Sequence, residues 1–286
     1  MGVSGLLLLD KEEGWTSQDC AAKLRGILHE RRVGHAGTLD PLATGLLVIL
    51  AGRATRAAAW AEAQEKEYIA AFRPGLVTDT QDITGNLLSR CAVLPSEAQI
   101  REMLPRFTGA ISQIPPMYSA IKINGQKLYE VARRGGTVER QPREITIYSL
   151  EYLEQASNGD HLLKIRCSKG TYIRTLCHDL GQALGCGGAM ASLRRTASGP
   201  FRVEDAVRIG AVSADMKLLG IDVLFPDAAA LTLTPKQEQL CRCGNAFAAA
   251  GENGEYRFYS RDGSFLALGR ITDSRAVTIK SFFEVG

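Results

Sequence analysis

A mixed α and β protein with a β-rich tail is the fold class this sequence predicts, and three observations predict it. Apolar runs of strand length alternate along the chain with segments of helical spacing. From about residue 231 the composition changes to short alternating stretches between Gly and Asp turns. The chain has 286 residues, 45% hydrophobic and 23% charged, enough for one large domain and a small one that bury a proper core.

The elements follow in order. Leu6 to Leu9 reads as a buried strand, and "TSQD" from Thr16 as a capping-box start for a helix whose apolar side is Cys20, Ala21, Leu24, Ile27 and Leu28. Leu46 to Ala51 is a continuous apolar run, expected of a strand covered on both faces. An alanine-rich helical stretch covers about residues 54 to 65, and "KEYIAAF" from Lys66 alternates like a strand with Tyr68 near its beginning. "TDTQDITGN" is a polar turn, and residues 96 to 107 read as helical with Ser96 as cap. "LLKIRC" is a strand, followed by a turn at Lys169 and Gly170 and a helix whose core side is Ile173, Leu176, Cys177, Leu180, Ala183 and Leu184. "GCGG" closes that helix as a C-cap and turn; it does not open one after a strand, as a phosphate loop would. "LTLTPKQEQL" gives a short helix, and the strands of the tail come after it.

Charge is unevenly placed. The formal net charge is only +3, yet His161 to Arg202 carries seven basic residues against one acid, which suits either a solvated face or a polyanion site. Residues 114–145 carry six basic and three acidic residues with Tyr118 and Tyr129 between them and Gly125, Gly135 and Gly136 as bending points. Such an insertion reads as a surface excursion or as a nucleic-acid contact, since cations track phosphate and rings stack on bases.

The seven cysteines include no CxxC pair. Cys177 with His178 and Cys186, or Cys241 with Cys243, could be drawn as ligands, but buried free thiols are the simpler expectation, so no metal site is expected. "GLLLL" is too short for a signal or a membrane span, and Leu6 stands where myristoylation would want Ser or Thr. A reducing, cytoplasmic setting is expected.

One carboxylate is unusual. In "RVGHAGTLDPLATGLLVI", Asp40 sits among Gly34, Gly37 and Gly45, with Pro41 biasing it towards an extended conformation just before the buried run. Alone, it reads as a turn or cap residue as readily as a chemical one. Arg174 stands in the first turn of its helix, where the dipole disfavours a cation unless an anion lies close, and Asp40 is a candidate for that anion.

"GHAGTLDPLATGLL", "KEY", "IPPMYSAIKINGQKLYEVAR" and "CSKGTYIRTLCHDLGQALGCGGAMASLRRTASG", with the opening "GLLLLDKEEGWTS", resemble the TruB family of tRNA pseudouridine synthases in residue identity and order. The resemblance runs from about residue 3 to 205, and the C-terminal part resembles the PUA-type domain that many members carry. One departure is Glu12, where the family commonly has proline, which puts the entry to the first helix in question.

The resemblance implies an α+β fold: a mixed, mostly antiparallel sheet flanked by helices in a catalytic domain of residues 1–229, and a PUA-like RNA-binding domain over 230–286. It implies isomerisation of the T-loop uridine of tRNA, position 55, to pseudouridine, without metal or organic cofactor. Residue by residue it makes Asp40 the nucleophile, Tyr68 the ring near the target base and Arg174 the ionic partner of Asp40. His35 would lie near the flipped nucleotide, and Tyr172 and Leu193 beside the pocket. Lys169, Arg194 and Arg195, from the basic stretch, would hold phosphate. A carboxylate can attack the sugar carbon, as in retaining glycosidases, or remove the 2′ proton to give a glycal, and the residues leave both routes open. The partner expected is the tRNA T stem-loop, with no membrane and a monomeric protein. Two other readings share the basic surface: an RNA-binding or tRNA-folding protein without catalysis, and a synthase acting on another RNA.

Overall fold

The computed structural model describes residues 3–119, 122–123, 126–128, 131 and 134–283. Gly125 and Tyr129 of the basic insertion lie outside the described residues.

The strands are β1 (Gly5–Lys11), β2 (Val33–Ala36), β3 (Thr44–Ala51), β4 (Lys66–Pro74), β5 (Leu76–Thr78), β6 (Leu87–Arg90), β7 (Gly109–Gln113), β8 (Lys122–Ile123), β9 (Gln126–Lys127), β10 (Arg143–Gln155), β11 (His161–Cys167), β12 (Gly188–Ser198) and β13 (Phe201–Arg202). The tail adds β14 (Ala229–Thr232), β15 (Phe247–Ala248), β16 (Gly254–Tyr259), β17 (Phe265–Thr272) and β18 (Arg275–Ser281). The helices are α1 (Ser17–Ile27), α2 (Ala58–Ala63), α3 (Glu97–Met103), α4 (Ile173–Ala183) and α5 (Pro235–Arg242).

One large sheet runs in the order β1-β3-β12-β4-β11-β10-β7, with β2 also on β3 and β13 on β12. Its pairings are antiparallel except for β3 with β12, which meet in parallel over Thr44 and Gly45 opposite Arg194 and Arg195. That contact explains Gly45: its φ is +94°, and a Cβ there would lie 2.3 Å from the Arg195 carbonyl oxygen. The fold is therefore mixed and mostly antiparallel, with helices against it.

The continuous apolar runs follow from burial on two sides. Leu7, Leu9, Leu47 and Ile49 face a core shared with α1 and α4 through Leu24, Leu176 and Leu180. Leu6, Leu8, Leu46, Val48 and Leu50 face a second core that includes Phe201, Phe225, Leu268 and Phe282. The C-terminal five-stranded sheet, in the order β14-β16-β17-β18-β15, thus shares a core with the large sheet while keeping its own centre at Leu233, Phe247, Phe258 and Ile271.

Local signals place the helices. Thr16, Ser96 and Thr234 each form a capping box with the residue three places on, Asp19, Gln99 and Gln237, worth about 1 kcal/mol per cap. Glu12 does not disturb the entry to α1: Lys11 Nζ donates to the carbonyls of Glu12 and Trp15 at 3.0 and 2.8 Å, and the helix starts at its Thr16 cap. One core assignment is corrected. Ala183 is exposed, because α4 ends there and its last turn leaves the sheet at Gly185.

Candidate active site

The loop between β2 and β3 carries Asp40, and the β1–α1 connection fixes that loop on both sides of it. Ser17, the first residue of α1, accepts the Leu39 N–H at 2.8 Å and donates to the Leu39 carbonyl at 3.1 Å. The Pro41 carbonyl accepts from the Gly14 N–H at 2.8 Å and from Lys11 Nζ at 3.4 Å. Lys11 is buried, and burial pulls its ammonium below the usual lysine range. With the main chain held, the Asp40 carboxylate points outward, its side chain 39% exposed.

Arg174 arrives from the other side of the site. It is in the first turn of α4, behind Tyr172, which caps the helix without a side-chain bond of its own. Its guanidinium is 6% exposed, and all three of its nitrogens are engaged. Nε meets Asp40 Oδ2 at 2.9 Å, Nη1 donates to the Thr80 carbonyl at 3.2 Å and lies 3.7 Å from Asp82 Oδ2, and Nη2 donates to the Tyr118 carbonyl at 2.8 Å. Two carboxylates so offset the unfavourable placing of a cation at a helix N-terminus.

Asp82 is the residue that sequence reading missed, hidden in what looks like a polar turn. It is buried, and its Oδ1 accepts from Thr80 Oγ1 at 2.8 Å, from the Thr84 N–H at 2.9 Å and from Thr84 Oγ1 at 2.6 Å. The threonines at 80 and 84 around an aspartate were the available signal, since hydroxyls two residues away on either side can reach its carboxylate.

The electrostatics of Asp40 are a contest. Although part of the side chain reaches solvent, the surrounding protein desolvates the carboxyl and raises its pKa above the ordinary aspartate value; Arg174 opposes this, Asp82 adds to it, Lys11 opposes it, and the net direction is upward. The carboxyl is therefore a better base than a free aspartate, and Arg174 directs its oxygen.

Tyr68 is buried on β4, opposite Ile165 on one side and Arg195 on the other. Burial raises its phenol pKa, so it stays neutral. Leu193, paired with Ala70, lies on the same face of the sheet as Tyr68, nearly buried. His35 stands on β2 opposite Ile49; burial, then Arg195, lowers its imidazole pKa, and its Nδ1 is buried with no hydrogen-bond partner among the described residues. The Tyr172 main chain is bracketed by Gln113, and burial raises its phenol pKa. Lys169 is exposed at the turn before α4.

The two arginines expected to hold phosphate are placed differently. Arg195 is 1% exposed, donating from Nε to the Leu46 carbonyl at 2.6 Å and from Nη2 to the Gly37 carbonyl at 3.1 Å, so it fastens the Asp40 loop to β3 from within. Gly37, at φ +78°, leaves room for that guanidinium, since a Cβ would lie 3.2 Å from its Nη1. Arg194 alternates to the opposite face of β12 from Tyr68 and forms a bidentate pair with Asp10, both contacts 3.0 Å. Lys66, another buried cation, donates to the Glu62 and Gln64 carbonyls at 2.5 Å each; burial and Arg195 push its ammonium down to about 8.

Among the described residues no group of three or more His, Cys, Asp or Glu side chains could hold a metal ion, and all seven cysteines are free thiols. No helix among them is long and apolar enough to cross a membrane.

Comparison with known proteins gives a consistent result. Residues 25–173 match the model of the TruB family pseudouridylate synthase N-terminal domain, and residues 174–219 match that of the tRNA pseudouridylate synthase B C-terminal domain. The chain is 48% identical over 213 residues to the tRNA pseudouridine synthase B of Opitutus terrae, covering 74% of this chain and 88% of that one. It is 39% identical over 294 residues to the protein of that name from Francisella philomiragia, covering 99% and 96%. A chain in a structure of an H/ACA RNP bound to a substrate RNA containing 2′-deoxyuridine superposes with TM-score 0.72 at 23% identity, covering 98% of this chain and 85% of that one, a likeness of fold.

Proposed function

The chain belongs to the TruB family of pseudouridylate synthases, and from that premise we propose that Asp40 is the nucleophile of its reaction, held and oriented by Arg174. The activity itself is the isomerisation of uridine to pseudouridine in tRNA. The observation that carries the assignment is the 2.9 Å contact between Asp40 Oδ2 and Arg174 Nε, in which the arginine is buried and the carboxylate still reachable.

The chemistry follows from those two groups. Asp40 Oδ attacks C1′ of the target ribose as the N1–C1′ bond breaks and the uracil leaves as its anion. The uracil turns within the pocket, its C5 bonds to C1′, and the carboxylate is released. The C5 proton is lost to solvent and N1 gains one, so no atom or electron is added overall. Arg174 stabilises the carboxylate in both free states, and its fixed partners spare reorganisation during the reaction.

A uridine stacked in a folded loop cannot reach Asp40, so the nucleotide is extruded at a cost of a few kcal/mol. Tyr68, with Leu193 beside it, packs against the flipped base, and His35 and Tyr172 border the nucleotide. Lys169 meets phosphate. The substrate uridine is that of the T loop, position 55, and the C-terminal region from residue 230 is a PUA-like domain that adds RNA contacts behind the catalytic domain of residues 1–229. The enzyme acts as a cytoplasmic monomer without metal or organic cofactor.

Tritium release from C5-labelled uridine in unmodified tRNA tests this. Wild type releases label, and Asp40→Asn does not while still binding tRNA; equal release by both means another group is the nucleophile. Tyr68→Ala is expected to lower turnover well beyond its effect on tRNA affinity, and equal losses would contradict a role beside the reacting base.

A further inference from the structure

We propose that Ser17 and Gln113 are positioning residues for the Asp40–Arg174 pair, each setting one partner through the main chain of a neighbouring residue. This rests on the reading of that pair as the reacting machinery.

The two side chains make the same unusual contact. Ser17 Oγ accepts the N–H and donates to the carbonyl of Leu39, at 2.8 and 3.1 Å, and Leu39 directly precedes Asp40. The Gln113 amide accepts the N–H and donates to the carbonyl of Tyr172, at 2.8 and 3.0 Å, and Tyr172 caps the helix that delivers Arg174. One buried side chain therefore satisfies both main-chain groups of a single residue, as a neighbouring strand would. Neither Leu39 nor Tyr172 belongs to a strand, so no ladder does this for them.

The placement fits a role in aiming rather than in general stability. The start of α1 is already secured by the Thr16–Asp19 capping box, so the Ser17 hydroxyl is free to hold the loop. Tyr172 makes no side-chain cap to α4; its carbonyl takes the Leu176 N–H at 3.0 Å, and Gln113 adds a second bond to that carbonyl and the one to its N–H. Gln113 ends β7, where the chain enters the basic insertion, and Ser17 lies behind the loop; both act on the pair through the backbone. A misplacement of about 1 Å at reacting groups costs on the order of 100-fold in rate.

The experiment is single-turnover pseudouridine formation at saturating unmodified tRNA, with tRNA Kd measured in parallel, for Ser17→Ala, Gln113→Leu and the double variant. Each single variant is expected to lose at least about tenfold in rate with Kd within about twofold. The double variant is expected to lose less than the product of the two, because both changes loosen one contact. Rates within about threefold of wild type, a loss carried equally by Kd, or a full product overturn the proposal. Should Ser17→Ala or Gln113→Leu fail to fold, Ser17→Cys keeps the volume with a weak donor and Gln113→Glu keeps the size without a donor; wild-type rates in these overturn it equally. Asp40→Asn run alongside separates the two failures: if that variant still turns over, the reading of the pair is wrong, and if it is dead while the clamps are silent, only this inference falls.

Discussion

Two arginine–carboxylate pairs are built in opposite senses. Arg73, near the end of β4, holds Asp160 bidentately at 2.6 and 2.8 Å, with the carboxylate buried (4% exposed) and the arginine open to water (38%). Arg174 holds Asp40 by one nitrogen at 2.9 Å, with the arginine buried (6%) and the carboxylate open (39%). The first arrangement uses both carboxylate oxygens for structure and leaves nothing to react. The second keeps one oxygen free and assigns the rest of the guanidinium to Thr80, Tyr118 and Asp82. A charge kept for chemistry is one whose partner, and not itself, is satisfied by the fold.

Removing the carboxylates breaks this comparison most sharply. Asp40→Asn is expected to lower turnover by roughly 10⁴-fold or more, as loss of a nucleophile does. Its stability should not fall at neutral pH. The Asp40 pKa is raised in the folded chain, so its contribution to stability is present in acid and lost as pH rises through that pKa; the Asn variant's Tm is expected to equal or exceed wild type at pH 7, the gap closing as the solution is acidified. Asp160→Asn should do the reverse, keeping kcat and costing about 2 kcal/mol, less than a wholly buried pair because Arg73 can turn to water. Thermal unfolding and tritium release on both variants check this, and matching profiles would erase the distinction.

The next effect is on the arginine. Arg174→Lys keeps the charge but cannot reach Asp40, the Thr80 and Tyr118 carbonyls and Asp82 together, since an ammonium lacks the planar fork. A loss of about 100-fold in single-turnover rate is expected, with tRNA affinity close to wild type. A loss confined to affinity would make Arg174 a phosphate ligand instead.

What could be read from the sequence divides along physical lines. The capped helix starts at Thr16 and Ser96 and the doubly buried runs of β1 and β3 carry their signal locally, in side-chain chemistry and in unbroken apolar residues. β12, at the centre of the sheet, carried none: "GAMASLRRTAS" is small and charged, and its two register shifts against β4 break alternation. β10 is similar, with two register shifts along 13 residues. At the site, Asp40 and Arg174 were legible as residue types, and the cation in the first turn of its helix suggested their pairing, which the family resemblance also implied. That Arg195 turns inward to carbonyls while Arg194 turns to Asp10 depends on which face of β12 each occupies, which no local pattern specifies. The threonines flanking Asp82 mark a carboxylate-centred turn, but only the tertiary fold brings that turn under Arg174.

Asp82 also offers a smaller, directional test. It raises the Asp40 pKa, so Asp82→Asn should lower it and move the acid limb of the single-turnover pH–rate profile to lower pH, away from a wild-type limb that lies above the ordinary aspartate value of 3.8. The rate on the plateau will fall as well, because Arg174 loses a partner, but the direction of the limb is independent of that loss. A limb that stays in place or moves upward would mean that the Asp82 charge does not act on Asp40.

Lys66 sharpens the comparison by being a buried cation with no carboxylate. Its ammonium rests on two main-chain carbonyls near Arg195, and its pKa falls from 10.5 to about 8. The folded chain therefore binds fewer protons than the unfolded chain between those values, and the stability of the wild-type protein should rise with pH across that window. The gain is at most about 3.5 kcal/mol, one pKa unit being about 1.4 kcal/mol. Lys66→Met, which fills the same space without a charge, should show none of this slope, whatever its stability at pH 7. Urea unfolding of both proteins at intervals from neutral pH to beyond 10 measures the difference directly, so that side-chain titrations common to both cancel. Equal slopes would mean that Lys66 reaches solvent in the folded protein, and that a cation can occupy this sheet unpaired at no cost.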